Sequence, residues 1–90
     1  MMEVFSLHRE MTGEEGEQCR VRYALTEDGC GPERSYGILC CVEGSRRPGR
    51  CCRLPGLLES RGVGELLVEY LARREVTPVQ LEDILVELLP

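Results

Sequence analysis

The reactive side chains of this 90-residue chain are six cysteines, one histidine and a run of arginines. Four of the cysteines fall in "ILCCVEGSRRPGRCC", residues 38 to 52, as two adjacent pairs, Cys40 with Cys41 and Cys51 with Cys52. Such a cluster suits a metal site, a redox device, a disulfide framework or plain strand packing. Pleat parity separates these uses. Neighbouring side chains of a strand point to opposite faces, so Cys40 and Cys41 do not reach one ion without a bulge, and neither do Cys51 and Cys52. A hairpin centred near Arg46 sets Cys40 opposite Cys52 and Cys41 opposite Cys51, one thiol pair on each face. Tetrahedral zinc usually draws on knuckles in which two to four residues separate the cysteines, a reach that adjacent cysteines lack. The favoured reading is thiols that serve as small buried hydrophobes. Two alternatives stay open. One is a zinc or other soft-metal site using Cys40, Cys41, Cys51 and Cys52, with Cys19, Cys30 or His8 to complete it; the other is a cross-strand disulfide or redox pair.

The remaining candidates are weaker. Cys30 lies in the loop "DGCGPERS" and is the thiol expected to react first. His8 has no recognisable acid or nucleophile partner around it, so a solvated or packed residue is the simpler reading. Arg46, Arg47 and Arg50 in "SRRPGR" would suit contact with an anion or an acidic partner. The loop has no aromatic residue to stack on a base, and a solvated hairpin tip is the plainer account. No nucleophile elbow, phosphate loop or dinucleotide fingerprint is present. No catalytic residue, enzyme activity or cofactor is expected.

Composition narrows the classes further. All eleven basic residues are arginine and asparagine is absent, a bias of G+C-rich coding that discounts each arginine as evidence of selected chemistry. The formal net charge of −5 opposes general nucleic-acid binding, which depends on a positive field along the phosphates. No apolar run exceeds the five residues Ile38 to Val42, far from the ~20 needed to cross a bilayer, and no membrane association is expected. The amino terminus "MMEVFSLHREM" carries Glu3, His8, Arg9 and Glu10 and lacks a basic leader, so it does not read as a secretory signal. A cytoplasmic, reducing location follows, in which six cysteines are expected as thiols.

The elements that must position these residues show in the periodicity. One domain over residues 1–90 is expected. "EQCRVRYALTED" alternates, with Cys19, Val21, Tyr23 and Leu25 on one side and Arg20, Arg22, Ala24 and Thr26 on the other. Strands are predicted at about 2–12, 17–27, 35–43 and 50–54. In the third, Tyr36, Ile38, Cys40 and Val42 share a face; the fourth is expected to end before Pro55, which cannot donate a ladder hydrogen bond.

Beyond Pro55 the period becomes helical. Val63, Leu66, Leu67, Tyr70 and Leu71 form an apolar stripe in a helix at about 60–74, capped by Ser60 and weakened near its start by Gly62 and Gly64. "TPVQ" places Thr77 as N-cap, Pro78 at the first helical position and Gln80 in a capping box, opening a second helix at about 78–88. Its expected stripe is Leu81, Ile84, Leu85 and Leu88. The fold class is α+β: an antiparallel meander of three or four strands followed by two C-terminal helices packed on one face of the sheet.

"YGILCCV", "LPGLLESRGVGELLVEYLARREV" and "TPVQLEDILVELL", in that order and spacing, resemble a family of small bacterial proteins of unknown function common in spore-forming Gram-positive anaerobes. The resemblance covers about residues 19–89 and rests on Tyr36, Gly37 and Ile38 and on Leu81, Asp83 and Ile84. It implies the strand, strand, helix, helix order and no activity, ligand or site residue. The chain departs from the pattern in its cysteines, its lack of lysine and Gly62 and Gly64.

The function expected is that of a small non-catalytic cytoplasmic module for protein interaction or regulation, with another protein or itself as partner. Val68, Val86 and Leu89 lie off the main stripes, and Leu57 and Leu58 precede the first helix, which would leave apolar surface for such a contact. Cysteine-based zinc binding is the alternative, and a nucleic-acid contact through the arginine hairpin is disfavoured.

Overall fold

The computed structural model describes residues 1–12, 16, 18–43 and 50–89. Among these, four strands run β1 (Met2–Thr12), β2 (Gln18–Asp28), β3 (Ser35–Glu43) and β4 (Cys51–Leu58), followed by α1 (Arg61–Arg73) and α2 (Pro78–Leu88). The strands form one antiparallel sheet in the order β1-β2-β3-β4, the simple meander expected of short connections. Both helices lie on one sheet face, α1 over β1, β2 and β3 and α2 over β3 and β4. Alternation along β2 decides which face that is. Val21, Tyr23 and Leu25 meet Ile38 and Cys40 of β3 beneath Leu67, Val68, Leu71, Leu81 and Leu85. Arg22 and Arg20 take the opposite, helix-free face together with Cys41, Leu39 and Arg53, as the register requires.

The fourth strand departs from the sequence expectation. It does not end before Pro55 but continues to Leu58 through an irregularity, so that Tyr36 pairs with Leu58 while Ile38 pairs with Leu54. Two features make this possible. β4 is the sheet edge, where the missing amide hydrogen of Pro55 leaves no ladder partner unsatisfied, and Gly56 takes φ +67°, a conformation that glycine adopts at no steric cost. Gly37 accommodates the bulge from the other side. A Cβ there would stand 2.5 Å from the Leu54 carbonyl oxygen and 2.6 Å from Pro55 Cα. The Tyr-Gly-Ile segment thus has a backbone reason: only a residue without a side chain lets the bulged edge lie against β3.

Helix α1 is capped as expected, the Ser60 hydroxyl accepting from Val63 N–H at 3.3 Å. Its buried face is rotated from the predicted stripe. Gly64, Leu67, Val68, Leu71 and Ala72 are buried, whereas Val63 is 51% and Leu66 65% exposed. Val68, expected off the stripe, is at its centre. Gly64 causes the rotation: a Cβ there would stand 2.5 Å from Leu25 Cδ1, so the glycine is where the helix backbone comes down onto β2. A propensity cost read as fraying is instead the condition for close helix-on-sheet packing.

The helix ends in a Schellman motif. Val76 N–H reaches Leu71 C=O at 3.2 Å and Glu75 N–H reaches Ala72 C=O at 3.2 Å, with Glu75 itself at φ +54°. Helix α2 then starts at Thr77, whose backbone N–H is accepted by Gln80 Oε1 at 3.2 Å, with Pro78 buried in the first turn. Leu81 and Leu85 are buried and Ile84 is half-buried, but Leu88 is 43% exposed and Val86 72% exposed.

Candidate functional site

The ladder between β3 and β4 pairs Cys40 with Cys52 and Cys41 with Cys51, the register that parity predicted. The two pairs have different fates. On the helix-free face Cys41 and Cys51 are joined as a disulfide, their Cα atoms 4.1 Å apart. This corrects the expectation that all six cysteines are thiols. The physical reason lies in the ladder: Val42 N–H bonds to Arg50 C=O at 2.9 Å, which makes the next pair, Cys41 and Cys51, a non-hydrogen-bonded one. Residues in such pairs approach most closely, and a bridge needs little backbone movement.

On the helix-covered face Cys40 is fully buried and Cys52 partly so, and both are free thiols. Burial, reinforced by the facing Cys52, pushes the Cys40 thiol up to about 12. Its sulfur donates to the Val76 carbonyl at 3.8 Å, and the Tyr23 hydroxyl donates to the same oxygen at 2.6 Å. Burial also raises the Tyr23 hydroxyl well above its ordinary value. Val76 is the residue that leaves the Schellman turn, so two buried donors on β2 and β3 hold the interhelical turn against the sheet.

Around the disulfide the open face is ionic. Arg22, the β2 neighbour of Cys41, bonds Glu43 at 2.8 Å through Nε and also pairs with Glu3. Burial would lower its pKa, but these two carboxylates outweigh that and raise it. His8 Nε2 stands 4.0 Å from Glu43 on the same face, and Arg53 bonds Asp28 at 2.9 Å.

The other predicted residues are dispersed. Cys30 is exposed, its carbonyl accepting from Glu33 at the start of a short 3-10 turn. Cys19 donates to the Met11 carbonyl at 3.4 Å. Arg50 is exposed beside Cys51, while Arg46 and Arg47 lie outside the described residues. Among the described residues no three of the His, Cys, Asp and Glu side chains converge in a group that would hold a metal ion, and no helix is long and apolar enough to cross a membrane.

One feature that the sequence reading missed is a groove of about 290 Å³ between the two helices, bounded by Tyr70, Arg74 and Val76 on one side and Gln80, Ile84, Glu87 and Leu88 on the other. It exists because α1 and α2 each rest on the sheet rather than on one another. Exposed Val63 and Leu66 lie on α1 two turns and one turn before Tyr70, at the helical spacing that continues the same stripe. The Arg74 guanidinium sits 5.3 Å from the Tyr70 ring centroid and holds the ring at the rim. The signal was present in the sequence as an apolar stripe too wide for one buried face.

With this geometry established, comparison with known proteins adds one result. Residues 2–90 match the model of a family of unknown function, DUF6514. The chain belongs to this family. Membership in DUF6514 extends over nearly the whole chain the likeness seen at residues 19–89, β1 included. It assigns no activity. No curated protein and no solved structure matches the chain.

Proposed function

We propose that the protein is a non-catalytic protein-interaction module of the bacterial cytoplasm that receives an amphipathic helix with basic flanks in the groove between α1 and α2. The observation that carries this reading is a cleft that the fold leaves unfilled, lined by half-buried Tyr70 and Ile84 and exposed Leu88, with exposed Val63 and Leu66 continuing the Tyr70 stripe along α1 beyond it. Helix-in-groove recognition uses apolar anchors at such spacing. Charge selects the partner. Helix α2 carries Glu82, Asp83 and Glu87 and no basic residue, and the chain as a whole is at −5, so basic flanks on the incoming helix meet a complementary rim on the α2 side, while Arg74 is the basic residue on the α1 side. Four free thiols beside one bridge are not the framework of a secreted scaffold, which supports a reducing compartment.

The test is titration of a fluorescent model helix with an apolar stripe and lysine flanks, alongside the same helix with glutamate flanks. Micromolar binding of the basic helix, preference over the acidic one, and loss of binding in Leu66→Glu and Leu88→Glu are the expected results. Equal affinity for both helices, or sedimentation showing that a second copy of the chain fills the groove, would contradict the reading. Because Leu66 and Leu88 are exposed, neither substitution removes a core contact.

A further inference from the structure

We infer that the Cys41–Cys51 bridge is a thiol–disulfide exchange site with a fixed polarity, in which an external thiol attacks Cys51 and Cys41 is the leaving sulfur. Displacement at a disulfide requires the incoming thiolate to approach along the S–S axis from behind the attacked sulfur. Here the bridge spans from Cys41 on inner strand β3 to Cys51 on edge strand β4. Approach to Cys51 therefore comes from beyond β4, where no further strand lies among the described residues and where Cys51 is exposed. The helices do not obstruct it, since they cover the other face.

Approach to Cys41 comes from over β2. That path is occupied by Arg22, directly opposite Cys41 in the register and locked between Glu43 and Glu3. The side chains fill the space above β2, and the two carboxylates repel a thiolate. Cys41 is itself only 6% exposed. Steric access and charge agree on Cys51 as the point of entry.

The exchange balances with a dithiol as reductant. Its thiolate forms a bond to Cys51 Sγ as the Cys41–Cys51 bond breaks, and the electron pair leaves on Cys41, which takes a proton from solvent. The second thiol of the reductant, losing its proton, then attacks the mixed disulfide at the reductant's own sulfur and expels Cys51 as a thiolate that is protonated in turn. Two electrons and two protons pass to the protein, and the reductant becomes a cyclic disulfide. Cys40 and Cys52 take no part, since the pleat directs them to the other face.

The experiment uses a monothiol so that the intermediate accumulates. Oxidised native protein is incubated with reduced glutathione, quenched in acid, digested and mapped by tandem mass spectrometry, which distinguishes Cys41, Cys51 and Cys52. The glutathione adduct is expected on Cys51 in about ten-fold excess over Cys41, in line with the difference in access. Arg22→Ala combined with Glu3→Gln and Glu43→Gln, which clears the path over β2 without leaving two uncompensated carboxylates there, is expected to raise the share on Cys41. Equal or greater modification of Cys41 in the native protein, no change of share in that triple variant, or a bridge that opens only in denaturant would overturn the assignment.

Discussion

The two faces of the β3–β4 hairpin carry the same residue types one position apart and do opposite things with them. Beneath the helices Cys40 is a sealed thiol that, with Tyr23, satisfies the Val76 carbonyl. On the other face Cys41, its immediate neighbour, is bridged to Cys51 among the ion pairs of Arg22. Sequence adjacency therefore says little about chemical environment in a strand, and pleat parity says nearly everything. What distinguishes the faces is the cover. One has two helices over it, so polar groups must find internal partners; the other carries no helix, and although Ala24, Thr26 and Cys41 are buried there, its charged side chains reach solvent and are held at little cost.

The sharpest way to break the comparison is to remove packing from the covered side. Leu71→Ala should cost about 3 kcal/mol through lost transfer energy and a cavity, while Leu66→Ala, on the same helix but outward, should stay within about 0.5 kcal/mol. Urea unfolding of the two variants reads this directly, and similar losses would show that α1 is turned differently. Next in size is the open face: opening the Cys41–Cys51 bridge, ten residues apart in sequence, should lower stability by about 2.5–3 kcal/mol if the loop-entropy account holds. Cys41→Ser with Cys51→Ser should show the same drop without reductant.

Alkali should act on the covered face alone. Cys40 has its thiol raised from 9.0 to about 12, and Tyr23 is raised from 10.0, so the folded state keeps protons that the unfolded chain releases. That contribution is fully present below pH 9 and is lost as pH climbs from there toward 12, at up to about 1.4 kcal/mol per pH unit for each group. Tyr23→Phe with Cys40→Ala should flatten the slope in pH-dependent urea unfolding; an unchanged slope would place its origin elsewhere. The smallest effect is expected at the turn. Glu75→Gly relieves the left-handed conformation and should add about 0.5 kcal/mol in thermal or urea unfolding, offset in part by the exposed Arg9–Glu75 pair at 3.1 Å.

Much of this fold was legible in the residues. Alternation in "QCRVRYALTED" reported β2 and its helix-covered side but not the burial of Ala24 and Thr26 on the other, "TPVQ" reported the start of α2, and parity reported the cysteine register. What periodicity did not report was contact that depends on a missing side chain. Gly64 looked like a weak point in α1 because its role is to admit Leu25, a residue thirty-nine positions earlier, and that choice rotated the buried stripe away from Val63 and Leu66. Pro55 looked like a terminator because the bulge that accommodates it is made by Gly37 on another strand. The groove escaped notice for a related reason: whether two amphipathic helices touch each other or only the sheet beneath them depends on their spacing, which a one-dimensional pattern does not encode.

Differential labelling of the thiols in native, unreduced protein measures the central division most directly. Iodoacetamide is applied first; the protein is then denatured and treated with a second, mass-distinct reagent, and finally reduced and treated with a third, and each cysteine is mapped. The account predicts Cys30 in the first label, Cys40 in the second, having escaped the first by burial, and Cys41 and Cys51 in the third. A bridge found between Cys40 and Cys52, or between any cysteine of one face and one of the other, would contradict it.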